Sequence, residues 1–231
     1  IAGKEYLVPL RYVGDQINPS ILLSLGNDIV LKRNDDSGSS VVIEQNSLEI
    51  SKKACRAVIQ KAGYGQRTNE WWYRAIPAKF LVEERLSDAA QPDHLVEYRF
   101  FVFGSASGSP KAYIEVIRRN ASHQPECSFF DLNGNPLSFD GEHVSYVGCR
   151  PIAGGFPAID AIPELLSVAQ KLSQGHSFIR VDLHYVSGKV FFGELTFNPA
   201  EGRFRVSPPA FDFEMGNQWE LPILQGDRDA A

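Results

Sequence analysis

Apolar and polar residues alternate along much of this chain, and most sharply in SFIRVDLHYVSGKVFFGELTF, from Ser177 to Phe197. Ile179, Val181, Leu183, Phe191, Leu195 and Phe197 alternate there with Arg180, Asp182, Glu194 and Thr196, the period-two signature of strands buried on one face. Ser187-Gly188 is the only turn signal between the two runs. A three-residue loop ending in a left-handed Gly188 pairs residues of equal parity across the hairpin. Arg180, Asp182, Glu194 and Thr196 then share one face and the aliphatic residues the other. A two-residue loop places Asp182 and Glu194 on opposite faces, so the three-residue loop is the expectation.

Elsewhere, DIVLKRN and SVVI, between Asp28 and Ile43, predict two strands joined by the small-residue loop DDSGSS. Leu48 to Ala62 predicts a helix, with Leu48, Ala54, Ala57 and Val58 at helical spacing and Gly63 just past its end. Strands are expected over Phe80 to Leu86, Val96 to Gly104 and Lys111 to Arg119. A second helix is expected over Asp160 to Gln174, with Pro163 in its first turn and Leu165, Leu166, Ala169 and Leu172 facing inward. Ser87 to Asp93 is the most loop-like interior stretch, and the chain closes on a polar LQGDRDAA. Strands dominate with helices interspersed, so the fold class is α+β.

Composition narrows the function classes. At 231 residues, with 43% hydrophobic and 22% charged residues, the chain suits one large domain or two small lobes. A formal net charge of -5 argues against a dedicated nucleic-acid binder, leaving room for a local basic groove for phosphates. Three widely spaced cysteines, Cys55, Cys127 and Cys149, form neither a disulfide framework nor a zinc pattern, which favours a cytoplasmic location. No apolar run approaches about 18 residues, so no membrane insertion is expected. No signal peptide is visible, and the start at Ile1 reads as a chain lacking an N-terminal segment. Asn120-Ala121-Ser122 is a glycosylation sequon by letter only.

Asp182 and Glu194 are the first candidate chemistry. Two carboxylates on one face repel unless a cation or a proton lies between them. Hard oxygen ligands suit Mg²⁺, a glycosidase-like acid/base pair uses the same residue types, and a solvated face paired to Arg180 and Lys189 is the plain alternative. In VLKRNDDSGSSVVI, Lys32 can supply a point charge and the small-residue loop backbone donors for phosphates. Asp35 and Asp36 oppose that role, and an ordinary hairpin connection is the alternative. FLVEERL leads an apolar strand into Glu83-Glu84, where backbone groups can meet an adenine edge and acidic side chains a ribose. Arg99, Glu115, Arg118 and Arg119 can reach one cleft, with surface ion pairing as the default. Trp71, Trp72 and Tyr73 read as packing aromatics, and the five histidines lack metal-ligand spacing.

In this order the motifs IVLKRNDDSGS, EWWYRAIPAKFLVEERL, EYRFFVFGS, FFDLNGNPLSF and FIRVDLHYVSGKVFFGELTFNP resemble an ATP-grasp protein, and more narrowly the TupA-like branch associated with cell-surface polysaccharide synthesis. KEYLVPL and the LP after Phe211 to Met215 extend the resemblance over nearly all of residues 4 to 222. It implies two α+β lobes, residues 1–86 and 87–231, with mainly antiparallel sheets gripping MgATP. Lys32 is then the phosphate-binding lysine, and Asp35 to Ser40, with Ser37, Gly38 and Ser39, the phosphate loop. Glu83, Glu84 and Leu86 lie in the adenine connector, Asp88 reaches the ribose, and Arg99 joins the nucleotide contacts. Asp182, Glu194 and Thr196 take the metal positions in the hairpin 178–197, and Arg180 lies near the transferred phosphate.

Thr196 stands where the wider superfamily carries asparagine, and the loop is more acidic than usual. By the same resemblance, the early segment that often carries another nucleotide-contacting lysine or arginine is expected to precede Ile1. The implied activity is an ADP-forming carboxylate–amine ligase using ATP and Mg²⁺ through an acylphosphate. A sugar kinase-like phosphotransferase and a non-catalytic nucleotide-binding module are the alternatives.

Overall fold

A computed structural model describes residues 3–88, 95–104, 111–120, 122 and 124–221. The end of the loop-like stretch 87–93, Ala121 of the sequon and the LQGDRDAA tail lie outside the described residues. Two compact units form: one from Val8–Leu86, the other from the residues preceding Val8 together with those from Ser87 onward. The short 3-10 turn Lys4–Tyr6 joins the larger unit because Tyr6 packs against that unit's core.

The smaller unit runs β1 (Leu10–Gly14), α1 (Pro19–Ser24), β2 (Ile29–Arg33), β3 (Val41–Ile43), α2 (Leu48–Gln60), α3 (Tyr64–Arg67) and β4 (Phe80–Glu84). Its antiparallel sheet has the order β1-β4-β2-β3. Ile29, Leu31, Phe80 and Val82 point to one face, where Leu22 of α1 and Ala54, Cys55 and Val58 of α2 cover them. The Asn18 side chain caps α1 by accepting from Ile21 N, and Ser47 caps α2 through Ile50 N. Leu48, expected on the inner side of α2, is exposed; the buried positions are Ser51, Ala54, Cys55 and Val58. On the open face of the sheet stand Lys32 and Glu83.

The larger unit contains β5 (Glu97–Phe103), β6 (Lys111–Arg119), β7 (Pro125–Phe130), the short β8 (Ser138–Phe139), β9 (Glu142–His143) and β10 (Ser145–Tyr146), then α4 (Ile162–Ser173), β11 (Phe178–Val186), β12 (Lys189–Thr196), β13 (Val206–Ser207) and α5 (Pro209–Gly216). Its main antiparallel sheet has the order β12-β11-β5-β6-β7. One face is mainly apolar: Phe100, Ile114, Val116, Ile179, Val181 and Leu183 pack under Leu165, Val168 and Ala169 of α4. The other face is split. Phe101, Phe103 and Phe129 are roofed by Val206, Phe211 and Met215, and beside that aromatic patch the sheet turns charged.

The hairpin that carries the charges is built differently from the expectation. Val186 pairs with Lys189, so the loop is the two-residue Ser187-Gly188, both left-handed with φ 51° and 79°. That geometry suits the right-handed twist of the strands. By itself it gives odd parity, and His184 faces Phe191 and Leu183 faces Phe192. A register shift between Leu183 and Asp182 then inserts Gly193 as an extra residue, after which Asp182 faces Glu194, Val181 faces Leu195 and Arg180 faces Thr196. The expected sharing of one face therefore arises, through a bulge and not through the loop. Phe191 falls on the charged face as a consequence, and Val190 and Phe192 take its place beside the core.

Gly193 fills the bulge because a Cβ there would lie 3.0 Å from Asp182 O and 3.3 Å from His184 Nε2. Gly193→Ala is expected to lose about 1–3 kcal/mol of stability through overpacking. Gly216→Ala, where a Cβ meets no atom within 4 Å at the end of α5, should gain up to about 1 kcal/mol. Urea denaturation of both variants checks the contrast.

Candidate functional site

Strand pairing across the larger sheet lines up one rung of ionisable residues. Glu194 on β12 faces Asp182 on β11, Asp182 faces Arg99 on β5, and Arg99 faces Glu115 on β6. Cross-strand partners sit about 4.5–5.5 Å apart at Cβ, so each side chain acts directly on the next. Arg180, on the neighbouring rung beside Thr196, turns back onto Asp182: Nε donates to Oδ1 and Nη2 to Oδ2, both at 2.7 Å. Its Nη2 also donates to Thr196 Oγ1 at 3.0 Å. Arg99 grips Glu97 through Nε at 2.9 Å and Nη2 at 2.6 Å, and lies 3.7 Å from Asp182 Oδ2 and 3.6 Å from Glu115 Oε2.

Among the described residues, Glu97, Glu115, Asp182 and Glu194 thus share two guanidiniums, Arg99 and Arg180, in this cluster. Glu115 carries the cost. It is 0% exposed, and neither carboxylate oxygen has a hydrogen-bond partner. Burial pushes its carboxyl up to about 7 against the opposing pull of Arg99 and then Arg180. Glu194 stands exposed at the sheet edge; desolvation and then the charge of Asp182 raise its carboxyl above the ordinary range. An excess of carboxylate charge facing one side of a sheet is the donor set a divalent cation balances. Asp182 and Glu194 are the carboxylates suited to hold Mg²⁺ and Thr196 the adjoining hydroxyl, although in this arrangement Arg180 engages both Asp182 oxygens and Thr196 Oγ1.

A cavity of about 400 Å³ opens beside the rung. Arg99, Glu115 and Arg180 form its charged side, and Tyr146, Phe204, Cys127 and Cys149 belong to the remainder.

The smaller unit holds the other expected residues. Lys32 Nζ meets Glu83 Oε2 at 2.5 Å on the open face of the sheet. Glu84 alternates to the other face and pairs with Arg11 at 3.1 Å, so the two glutamates of the connector do not act together. Glu84 N donates to Pro9 O and Arg85 N to Asp28 O. Those amides are committed, and Leu86, half buried, follows them. The acidity of the 35–40 loop is partly neutralised: Arg33 clamps Asp35 with two hydrogen bonds of 2.8 and 2.6 Å. Gly38, with φ 75°, accepts from Lys61 Nζ at 2.8 Å; Ser37 lies near enough to Tyr64 to act on its phenol, and Ser39 is buried. Asp88, in the larger unit, lies near enough to raise the Tyr98 phenol further after burial has done so.

Among the arginines considered at the outset, Arg99 reaches the charged rung, whereas Arg118 is taken by Glu126 at 3.1 Å and by Ala153 O. Glu97 and the cavity residues Tyr146, Phe204, Cys127 and Cys149 were not singled out as site residues. Glu97 carries a readable signal, two residues before Arg99 on one strand face; the others carry none, since segments distant in sequence bring them together in the fold.

The family model described as TupA-like ATPgrasp matches residues 1–220. Among solved structures, D-alanine–D-alanine ligase from Helicobacter pylori is similar at 17% identity and TM-score 0.52, covering 94% of this chain and 56% of that one. D-alanine–D-alanine ligase from Bacillus anthracis is similar at 10% identity and TM-score 0.46, covering 92% and 58%. N5-carboxyaminoimidazole synthetase from Staphylococcus aureus is similar at 13% identity and TM-score 0.44, covering 87% and 42%. The chain spans about half the length of these structures. No protein with a curated description matches it.

Glu115 generates a prediction for the ligand-free protein. Between the ordinary carboxyl value of 4.5 and about 7 the folded state keeps a proton that the unfolded chain has lost, so stability falls as pH rises through that window. Glu115→Gln removes the fall. Relative to wild type, the variant should gain on the order of 3 kcal/mol between about pH 4 and pH 8, measured by urea denaturation at both ends.

Proposed function

The chain belongs to the TupA-like ATP-grasp family, and from that premise we propose that it is an ADP-forming carboxylate–amine ligase working through an acylphosphate. The process is cell-surface polysaccharide biosynthesis or modification, and the location cytoplasmic. No helix of the described residues is long and apolar enough to cross a membrane. The observation that carries the reading is the single rung Glu194–Asp182–Arg99–Glu115, with Arg180 folded onto it.

Each residue has a role its chemistry suits. Lys32 is the point charge for ATP phosphates, and the 35–40 loop supplies backbone donors once Arg33 has neutralised Asp35. Asp182 and Glu194, with Thr196 beside them, would hold Mg²⁺, which would supply positive charge against the negative charge of the phosphates. Arg180 and Arg99 orient the substrate carboxylate and the transferred phosphoryl group, with donors that strengthen as charge grows. Glu115, which lines the cavity and whose carboxylate oxygens make no hydrogen bond, accepts the proton that the attacking amine must lose. Glu83, Leu86 and Asp88 serve the adenine and ribose; Glu84, turned to Arg11, keeps the connector in place.

The test is ADP release from ATP with panels of carboxylates and amines, each repeated with hydroxylamine. Carboxylate-dependent ADP release accompanied by hydroxamate supports the ligase. ADP release with a sugar phosphate and no hydroxamate replaces it with a kinase, and nucleotide binding without turnover replaces it with a binding module. Arg180→Ala is expected to lower kcat by about 10²–10³, the effect of removing one well-placed donor.

A further inference from the structure

Cys127 and Cys149 are distant in sequence and adjacent in the fold. Cys127 lies in β7, fully buried, opposite Ile117. Its backbone N donates to Arg150 O at 2.8 Å, and Glu126 bridges Arg150, so the segment after Cys149 runs alongside β7. Tyr146 N donates to Cys127 Sγ at 3.3 Å, and Cys149 N donates back to Tyr146 O at 2.9 Å. Gly148, left-handed at φ 81°, makes the tight turn between them. The turn returns Cys149 to the side of β7 that carries Cys127. Both line the cavity that Arg99, Glu115 and Arg180 also line. Cys55, the remaining cysteine, is buried on α2 of the other unit.

We propose that Cys127 and Cys149 are a redox-active dithiol in the wall of the charged cavity, closed to an intramolecular disulfide by low-molecular-weight disulfides. The two thiols differ in access, which sets the order of events. Cys149 is partly exposed and Cys127 is not, so the Cys149 thiolate attacks the oxidant R–S–S–R, forms a mixed disulfide and expels one RS⁻. The Cys127 thiolate then attacks the Cys149 sulfur, closes the protein disulfide and expels the second RS⁻. Both thiol protons pass to the released thiolates; two electrons leave the protein and reduce one R–S–S–R to two RSH. Burial holds the Cys127 thiol well above its ordinary range, which slows the second step, and the placement of Cys149 in the same cavity wall offsets this by making it intramolecular. The bond ties the turn at Tyr146–Cys149 to β7 and removes both thiols from the lining, so the shape of the cavity follows the redox state.

The experiment exposes the full chain to oxidised glutathione, denatures it, alkylates free thiols and weighs the intact protein, with peptide mapping of the product. The expected result is one alkylated cysteine, Cys55, a mass lower by roughly two hydrogens before alkylation, and a linked Cys127–Cys149 peptide pair. Dithiothreitol should restore three free thiols, and Cys55→Ser should oxidise as wild type does. Three free thiols after oxidation, a glutathione adduct that persists on Cys149, or a link involving Cys55 would each overturn the proposal. The wild-type result decides it without relying on any variant folding.

Discussion

The larger unit is organised around one imbalance: a rung of carboxylates on a sheet face with too few guanidiniums to neutralise it. Asp182 and Glu194 face each other across β11 and β12, an arrangement that costs stability when nothing positive is near. Arg180 and Arg99 answer part of the charge, and the remainder shows in the raised carboxyls of Glu115 and Glu194. The fold tolerates the strain because the opposite face is a dry layer of aliphatic and aromatic residues under α4, which holds the strands in register whatever the charges do. The aromatic roof over Phe101 and Phe129 stops short of the rung, leaving it beside a cavity.

Register is what converts this sheet into a site, and one glycine sets it. With the two-residue turn alone, every polar position of β12 would lie opposite an apolar position of β11. The bulge at Gly193 resets the parity between Leu183 and Asp182. Much of this was legible in the sequence: the polar alternation placed Arg180, Asp182, Glu194 and Thr196 on a shared face. The route was not, because a bulge leaves no stronger mark than an isolated glycine in a strand, and the signal was assigned to Gly188 instead. The same error put Phe191 with the core, where Phe192 and Val190 stand.

Other differences have equally local causes. β1 and α1 went unread because Leu10–Gly14 leaves Leu10 and Val13 exposed, and the six residues of α1 span under two turns. Leu48 fits the helical period of α2 and still faces outward, because it sits in the first turn while the buried stripe begins at Ser51. Lys32 was recognised as a candidate from its position at a strand end; its ion pair with Glu83 depends on β2 and β4 being neighbours, which a linear pattern does not encode. Glu115 could be named as a residue able to point into a cleft, but its isolation from hydrogen-bond donors is a property of packing alone.

Calorimetry of ATP binding to the full chain, with and without Mg²⁺, tests the proposed magnesium–nucleotide site at the rung most directly. Wild type should bind ATP in a magnesium-dependent manner, and Asp182→Asn/Glu194→Gln should lose that dependence while keeping its fold by circular dichroism. Magnesium-dependent binding of equal strength in the double variant would contradict the account and place the metal elsewhere.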